Sequence, residues 1–479
     1  MLKKQSSDEY DAIIIGAGIG GLVCGCYLAK AGMKVLICEQ HYKPGGYCTS
    51  FKRKGFTFDA AADCFGAYRK DGITRKVFEE LGIDKKLNII RFDPPSIVLT
   101  PDYRIHFWND LEKTISEFQT AFPDEKTNIS KFFYFLSNSD SISFSRIRNW
   151  TFKNLLDSYF TNDRLKAVLS FPLLAMAGLP PSMISAFMGV KFFSEFFLDG
   201  GYYPIGGMQV LSDTIAERFK GFGGELRLSS LVKKIKVKDN KVIGIVLENG
   251  DFILSKYVIS NCDARQTFLK LIGKEKVEKE FYNQIKDMMP SISNFIAYLG
   301  LSKSFNPPYP QGSAVFFSQH YDLDKAYRSA QKSDIDGYNG HTFRISHDKS
   351  TIYAIIPTAF KNRLFWINNK HRFLELLIEN IEKTTIPGLS EHIVYKEAAT
   401  PYTLYRYTLN YKGASYGWAS TPSQLAVPGL RKPPSIQDLY LTGHWTTLGV
   451  GISGVIYVSH EVSKLILKMG KRGYKNNYE

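Results

Sequence analysis

The fold is decided by residues 11–38, DAIIIGAGIGGLVCGCYLAKAGMKVLIC, which Glu39 follows directly. This stretch opens with a run of β-branched residues without polar alternation, which is typical of a strand buried on both faces of a parallel sheet. A glycine-rich GxGxxG turn, a helical pattern that ends at Gly32 and a second apolar strand follow. The order predicts a β–α–β unit whose two strands run parallel.

Three glycines and one carboxylate in this unit suit a dinucleotide. Gly16 allows the tight turn from strand to helix, Gly18 leaves room for a pyrophosphate, and Gly21 lets helix and strand pack closely. The N–H groups at the helix start attract the phosphates. Glu39 lies 18 residues after Gly21, where its carboxylate can accept hydrogen bonds from the ribose hydroxyls. We therefore predict a dinucleotide site; the alternative is a glycine-rich turn in an unrelated α/β protein.

Composition narrows the class of protein and its surroundings. The 479 residues carry a net charge of +15, which suits an anionic membrane surface, and they contain no recognisable nucleic-acid module. The six cysteines form no CxxC pair, so we expect no metal site and free thiols in a reducing compartment. The polar N-terminus and the lack of a long apolar run predict a cytoplasmic protein, either soluble or resting on a membrane.

The cofactor-type pattern returns later in the chain, so the dinucleotide domain is expected to be discontinuous. We assign residues 1–109, 201–264 and 426–479 to it. Residues 110–200 are aromatic-rich and helical, which predicts a lid that faces an apolar substrate or a membrane. A helical subdomain whose aromatics fill its own core is the alternative. Residues 265–425 hold strand-like runs and a helix, and we expect them to form the substrate-binding domain.

Several further motifs carry a resemblance to a known superfamily. They are the paired Gly45–Gly46, GFTFD at 55–59, YPIGGMQVL at 203–211, VISNCD at 258–263, TPYTLYRYTLNYKGASYGW at 400–418 and LYLTGHWTTLGVGISG at 439–454. Together with the first unit they resemble the flavin-containing amine oxidase superfamily, especially its phytoene desaturase, carotenoid isomerase and retinol saturase group. The resemblance implies an α/β fold: a discontinuous Rossmann-like FAD-binding domain, an inserted substrate domain of sheet and helices, and a helical lid.

The resemblance also implies FAD as the cofactor and names the residues that would hold it. These are Gly16, Gly18, Ile19, Gly20, Gly21, Glu39, Gln40, Gly45, Gly46, Val232, Asn261, Gly443, Gly451 and Ile452. Two positions depart from the family pattern, because Tyr47 stands where an arginine commonly follows the paired glycines, and His444 where aspartate is usual. His444 is the predicted catalytic residue, and a role as a mere cofactor ligand is the alternative.

The expected activity is redox chemistry on the C–C bonds of a long apolar lipid, namely desaturation, saturation or cis–trans isomerisation of a polyene, isoprenoid or acyl chain. Tyr416, Trp418 and Trp445 are expected to shape the substrate pocket, with core packing as the alternative. Two other functions stay open: a flavin amine oxidase, and a non-enzymatic prenyl-binding protein on the same fold. The sequence identifies neither the lipid nor the electron acceptor.

Overall fold

The computed structural model describes residues 5–138, 144–425, 427, 430–433 and 435–475. Within them the strands, in chain order, are β1 (Gln5–Ile15), β2 (Val35–Cys38), β3 (Ser50–Arg53), β4 (Phe56–Asp59), β5 (Ile89–Arg91), β6 (Ser96–Leu99), β7 (Arg104–Phe107), β8 (Tyr202–Pro204), β9 (Glu225–Arg227), β10 (Val232–Lys238), β11 (Lys241–Leu247), β12 (Phe252–Ser260), β13 (Ser293–Leu301), β14 (Ala314–Ser318), β15 (Gly340–Ile345), β16 (Thr351–Thr358), β17 (Ile393–Ala399) and β18 (Leu439–Leu441).

The helices of the described residues separate and cover these strands. They are α1 (Ile19–Lys30), α2 (Ile73–Leu81), α3 (Leu111–Ala121), α4 (Lys126–Ser137), α5 (Phe144–Ile147), α6 (Phe152–Asp157), α7 (Asp163–Ala177), α8 (Ala186–Phe192), α9 (Met208–Gly221), α10 (Lys279–Asp287), α11 (Leu323–Lys332), α12 (Ile335–Tyr338), α13 (Arg363–Thr384), α14 (Leu389–His392), α15 (Pro401–Thr408), α16 (Pro422–Leu425) and α17 (Gly451–Lys475). Of these described helices, none combines the length and the apolar character that crossing a bilayer requires.

The first large sheet has the strand order β10–β11–β12–β1–β2–β9, with β18 paired to the end of β12. Strands β1, β2, β9, β12 and β18 are parallel to one another, whereas β10 and β11 form an antiparallel extension that pairs with β12. The central strand β1 is buried from Ala12 to Ile15, as its run of β-branched residues predicts. The strands of this sheet come from the start, the middle and the end of the chain, so three separate stretches of sequence build one sheet.

The second large sheet has the order β17–β13–β16–β15–β14–β6–β7. Its pairs are antiparallel except that β6 runs parallel to β14, from Ser96 beside Ala314 onwards. The boundary expected at residue 109 puts β6 and β7 with the cofactor domain, and the structure differs there. All four residues of β6 are buried, and β14 and β7 supply the hydrogen-bonding neighbours that a buried strand needs.

Helix α1 is covered on several sides. Ten of its residues are buried, and α1 shares one hydrophobic cluster with α9 and α17. Gly16, with φ of +96°, turns the chain out of β1 in the left-handed region that glycine tolerates. A Cβ on Gly21 would lie 2.1 Å from the carbonyl oxygen of Gly16, so only glycine permits this approach of helix and strand.

The aromatic residues of 110–200 pack mostly inside the protein. Phe118, Phe132, Phe152 and Phe193 are fully buried in one cluster with side chains of the second large sheet, and the rings of Phe152 and Phe193 stack 5.6 Å apart. Each buried phenylalanine stabilises the fold by about 1.5–3 kcal/mol. This burial matches the alternative in which the aromatics fill a core, and the lid and membrane-facing roles stay predictions.

Candidate active site

A cavity of about 320 Å³ follows the carboxyl ends of the parallel strands of the first sheet. Gly16 after β1, Glu39 after β2, Asn261 after β12 and Gly443 after β18 all line it. Ligands of open α/β sheets bind at this edge, because the loops there lie above the helix N-termini. The cavity then continues to the second large sheet, so one space joins the two sheets.

Bare backbone forms the floor of the cavity where α1 begins. Gly18 is the N-cap of α1 and no side chain caps the helix, so the N–H groups of the first turn have no partner within the helix. A Cβ on Gly20 would lie 2.5 Å from Oδ1 of Asn261 and 3.0 Å from Cα of Gly443. The two glycine loops therefore touch, and side chains are excluded between them.

Glu39 lies at the end of β2 with 7% of its surface exposed. Its carboxylate accepts hydrogen bonds from the backbone N–H of Ala17 at 2.7 Å and of His41 at 2.9 Å. Burial raises the pKa of Glu39, and these two hydrogen bonds oppose the shift. The carboxylate thus ties the glycine turn to the end of β2 and leaves acceptor capacity for hydroxyl groups.

The paired glycines run alongside the start of α1. The N–H of Gly45 donates to the carbonyl of Ala17 at 2.8 Å, and Gly45 forms a parallel bridge with Gly18. A Cβ on Gly46 would lie 3.4 Å from Cα of Gly18. This arrangement adds a second strip of backbone to the cradle in which a pyrophosphate fits.

The end of the cavity beyond Glu39 is shaped by β10 and by the residues that follow β12. Val232 and Gln266 line it, and among the described residues Oε1 of Gln266 is buried without a hydrogen-bond partner. Gln40 also lines it, and its Nε2 donates to the carbonyl of Tyr407 at 2.9 Å. A buried acceptor without a partner is costly, so an amino or hydroxyl group of a ligand suits this place.

His444 lies where the C-terminal glycine loop meets the middle of the cavity. Burial lowers the pKa of His444 to about 4, so its imidazole is neutral at pH 7. Nδ2 of Asn410 lies 3.3 Å from Nε2 of His444 and 3.2 Å from the hydroxyl of Tyr47. Asn410, which the sequence did not single out, thus connects both residues that depart from the family pattern.

Helix α17 begins seven residues after this histidine, at Gly451. Gly451 and Ile452 both line the cavity and are the first residues of the helix. The positive end of the helix dipole therefore lies at the cavity wall, where negative charge is stabilised. A positive φ of 72° at Gly451 makes the turn from the loop into the helix.

The wall on the side of the second sheet is largely apolar. The aliphatic and phenyl side chains that line it are Met176, Phe192, Phe196, Ile296, Phe316, Phe343, Ile355 and Leu404. Tyr416 stands among them; its hydroxyl donates to the carbonyl of Ala175 at 3.0 Å and accepts from Nδ2 of Asn294 at 3.1 Å. Burial raises the pKa of Tyr416 to about 12. Oδ1 of Asn294 is a second buried acceptor without a partner among the described residues.

Sequence reasoning missed a partly buried ion pair in this wall. Nε of Arg344 lies 2.7 Å from a carboxylate oxygen of Asp63, and both residues line the cavity. The guanidinium also donates to the carbonyl of Gly312 and approaches Sγ of Cys64 at 3.3 Å. Nearby Asp63 and Cys64 raise the pKa of Arg344 although burial opposes the charge. The two partners are 281 residues apart, and no local signal joins them.

Most of the predicted site residues meet at this cavity. Gly16, Gly18, Ile19, Gly20, Glu39, Gln40, Gly45, Gly46, Val232, Asn261, Tyr416, Gly443, His444, Gly451 and Ile452 line it. Gly21, Trp418 and Trp445 are not among the described lining residues. The indole of Trp418 donates to the carbonyl of Trp445 at 3.0 Å, and that of Trp445 to Oδ1 of Asn410 at 2.8 Å. Both indoles thus support the C-terminal loop from behind, and all these roles stay predictions.

The residues of the cavity fit FAD. The uncapped start of α1 and the closely packed glycines offer N–H groups and space to a pyrophosphate, and Glu39 offers a buried carboxylate to a ribose. The two acceptors without partners, on Gln266 and Asn294, suit the polar edges of a large ligand. The described residues contain no group of three histidine, cysteine, aspartate or glutamate side chains that could hold a metal ion.

Comparison with known proteins identifies relatives of the chain. The family described as flavin containing amine oxidoreductase matches residues 19–342, which is more than half of the chain. A chloroplastic prolycopene isomerase from Daucus carota is 27% identical over 505 residues, covering 94% of this chain and 79% of that protein. A lycopene-forming phytoene desaturase from Pantoea ananas is 24% identical over 496 residues, covering 95% of this chain and 98% of that protein.

Solved structures share the fold at low sequence identity. An oxidoreductase from Methanosarcina mazei superposes with a TM-score of 0.69 at 17% identity, covering 95% of this chain and all of that one. A putrescine oxidase bound to putrescine superposes with a TM-score of 0.67 at 14% identity, covering 96% of this chain and 99% of that one. The predicted α/β fold of the amine oxidase type and the predicted cofactor, FAD, are confirmed. The chain belongs to the family of flavin containing amine oxidoreductases.

Proposed function

We propose that this flavoenzyme transforms the C–C double bonds of a long apolar polyene by desaturation, saturation or cis–trans isomerisation. The observation that carries the proposal is the apolar wall, formed by residues such as Phe316, Phe343 and Ile355, which lines the same cavity as the glycine cradle. The relatives named prolycopene isomerase and phytoene desaturase support the same class of substrate. An isoprenoid or acyl chain of similar shape fits the same wall.

When bound, FAD supplies a two-electron carrier that accepts or returns a hydride. The chain supplies position and environment. Gly18, Gly20 and Gly443 would hold the pyrophosphate and ribityl regions against bare backbone, and Glu39 would hold the adenosine ribose. The start of α17 at Gly451 presents positive helix-dipole charge, which stabilises negative charge that develops in the cavity. The apolar wall excludes water from the reacting carbons.

We propose that His444 orients the ligand and does not donate a proton at neutral pH. Its pKa of about 4 leaves the imidazole neutral, so it can accept one hydrogen bond and donate another. Tyr416, whose hydroxyl is already engaged by Asn294 and the carbonyl of Ala175, would shape the pocket. A conjugated polyene delocalises charge over many carbons, and such a substrate does not require a strong side-chain acid.

We further infer that the protein works in the cytoplasm at the surface of a membrane, from which a polyene could enter. The net charge of +15 supports an anionic surface. All six cysteines are free, and five of them are buried, which suits a reducing compartment. Desaturation requires an electron acceptor and saturation an electron donor, each supplied by another molecule, whereas isomerisation has no net electron transfer.

The proposal is tested with the flavin-loaded enzyme under anaerobic conditions. Phytoene, prolycopene and a long unsaturated fatty acid are each added to the oxidised and to the chemically reduced enzyme. Flavin absorbance follows electron transfer, and mass spectrometry with absorption spectra identifies the products. Desaturation bleaches the oxidised flavin and removes two hydrogens; saturation reoxidises the reduced flavin and adds two; isomerisation shifts the polyene spectrum at constant mass.

Putrescine serves as the comparison substrate, because a structural neighbour binds it. The proposal is supported if the enzyme converts any of the apolar chains and if putrescine does not reduce the flavin. Rapid bleaching by putrescine, with every apolar chain recovered unchanged from both redox states, refutes it and favours an amine oxidase.

A further inference from the structure

We propose that the N-terminal part of α13 together with α15 forms the surface on which this protein docks to an anionic lipid bilayer. The docking surface consists of residues 360–372 and 400–412. It deepens the proposed function, since it names the place where a bilayer that holds the lipid would meet the cavity. Three observations carry the inference: exposed aliphatic side chains, one sign of charge, and continuity with the cavity wall.

The first turns of α13 expose two large aliphatic side chains on one face. Leu364 is 66% exposed and Ile367 is 65% exposed, and their spacing of three residues places them next to each other on the helix. The opposite face packs inward, where Trp366 stacks on Phe295 at 5.8 Å. The helix is therefore anchored by aromatic packing while an apolar pair faces solvent, which is the arrangement of an interfacial helix.

All charged residues in the two segments of the docking surface are Lys or Arg. Residues 360–372 contain four Lys or Arg and no acidic residue, and residues 400–412 contain two and none. Lys370 and Arg372 lie within 4.0 Å of Glu397 and Asp336, two acidic residues from neighbouring elements, so part of their charge is balanced. The remaining cations are Lys361, Arg363, Arg406 and Lys412. Each basic group near an anionic bilayer contributes to binding, and salt weakens that contribution.

Aromatic side chains join α13 to α15. The ring of Phe360, just before α13, lies 5.7 Å from the ring of Tyr405 and 6.4 Å from that of Tyr402. The guanidinium of Arg406 lies 4.8 Å from the ring of Tyr407. Tyrosines beside cations suit the headgroup layer, because the ring is apolar and the hydroxyl is polar.

Helix α15 also lines the cavity. Leu404, Tyr407 and Thr408 of α15 line it. Tyr407 is 47% exposed and its carbonyl accepts from Gln40 at the cofactor end of the cavity, whereas Leu404 belongs to the apolar wall. A lipid held at the docking surface would therefore be one helix away from the apolar wall, with Leu404 on the cavity side of that helix. This docking surface is not the segment 110–200 for which the sequence predicted a membrane contact. Most aromatic side chains of that segment are buried in a core.

Vesicle sedimentation tests the docking surface without any substrate. The flavin-loaded protein is mixed with vesicles of phosphatidylglycerol and phosphatidylcholine, and with vesicles of phosphatidylcholine alone, at low and high salt. We expect binding to the anionic vesicles that decreases with salt. The double variant Leu364→Ser/Ile367→Ser is expected to lower the partition coefficient about tenfold or more, since two aliphatic groups no longer enter the bilayer. Lys361→Glu/Arg363→Glu should weaken binding to the anionic vesicles alone.

Val394→Ser is the matched control. Val394 is 61% exposed and is the second residue of β17, a strand outside the docking surface in which Lys396 contacts Glu375 in the middle of α13 at 2.7 Å. Flavin absorbance and circular dichroism verify that each variant is folded. The inference is overturned if both double variants bind vesicles as the wild type does, or if the wild-type protein does not bind anionic vesicles. It is also overturned if the variants change only the oligomeric state of the protein and not its binding to vesicles. Turnover of detergent-solubilised polyene is measured separately, so failure of the proposed reaction is distinguished from failure of docking.

Discussion

Replacing Gly20 by alanine tests whether the two glycine loops enclose the cofactor together. The new methyl carbon would lie 2.5 Å from Oδ1 of Asn261, 3.0 Å from Cα of Gly443 and 3.2 Å from its nitrogen. Carbon atoms at rest are about 3.5–4.0 Å apart, so the backbone at Gly443 must retreat by about half an ångström. Asn261 must also move, and the retreat widens the cradle where the pyrophosphate is expected.

Overpacking of this size costs about 1–3 kcal/mol. Because the strain falls on the loops that we propose to hold the cofactor, we expect the Kd for FAD to rise about 5- to 150-fold. The change in fold stability without FAD should be smaller, since the loops can separate when nothing has to be held between them. The expected signature is therefore a loss of affinity that exceeds the loss of stability.

The assay is titration of the apoprotein with FAD, followed by quenching of flavin fluorescence, with circular dichroism as a measure of folding. Gly221→Ala is the matched control, because a Cβ on this residue at the end of α9 has no atom within 4 Å. If the Gly20 variant is folded and binds FAD as tightly as the wild type and the control, the two loops do not form a shared cradle, and the reasoning from their contact is wrong.

Three further outcomes follow from buried polar groups. Glu39→Gln should weaken FAD binding about tenfold, measured by the same titration, because hydrogen bonds to a charged acceptor contribute about 1.5–3 kcal/mol. Arg344→Met should lower the free energy of unfolding in urea by about 1–3 kcal/mol, as it leaves the partly exposed carboxylate of Asp63 without its partner; adding Asp63→Asn should restore part of the loss. Burial lowers the pKa of His341 to about 4, whereas the unfolded chain takes up this proton near pH 6.5. Stability should therefore fall by about 3 kcal/mol as pH decreases from 6.5 to 4, and His341→Asn should abolish that part of the slope in pH-dependent unfolding; an unchanged slope would contradict it.

The parts of the site that the sequence predicted are those specified by neighbours in the chain. The turn from β1 to α1 needs glycine at Gly16 and Gly18, and the end of β2 needs a carboxylate at a fixed spacing, so residues 11–39 indicate the cradle by themselves. The same holds for the helix between the two strands, which the pattern ends at Gly32 and which the structure has as α1 (Ile19–Lys30). In each case a few consecutive residues determine the backbone conformation, and the structure has these elements where the patterns indicate them.

The parts that the sequence missed depend on partners far along the chain. Asn410 connects Tyr47 with His444 across more than 360 residues, and an asparagine in a polar loop gives no signal of such a role. The pairing of β6 with β14 also joins residues far apart in the chain. The domain boundary at residue 109 was drawn from local composition, and it therefore assigned β6 to the cofactor domain and not to the sheet that contains β14. Trp418 and Trp445 looked like pocket residues because indoles often line pockets, yet their N–H groups are taken by a backbone carbonyl and an amide oxygen.

The charges of the cavity bear on the proposed choice of an apolar substrate over an amine. An available carboxylate offsets the lost hydration of an ammonium substrate most strongly, and the aromatic rings of this wall offer only the weaker cation–π attraction. Among the described lining residues the carboxylates are Glu39 and Asp63: the first lies at the end of β2, among backbone N–H groups, and the second is paired with Arg344 at 2.7 Å. That fixed guanidinium would repel an ammonium group that came close, whereas a polyene requires no ionic partner at all. The ion pair therefore neutralises the wall beside the phenyl side chains, and this neutrality favours a hydrocarbon chain over an amine.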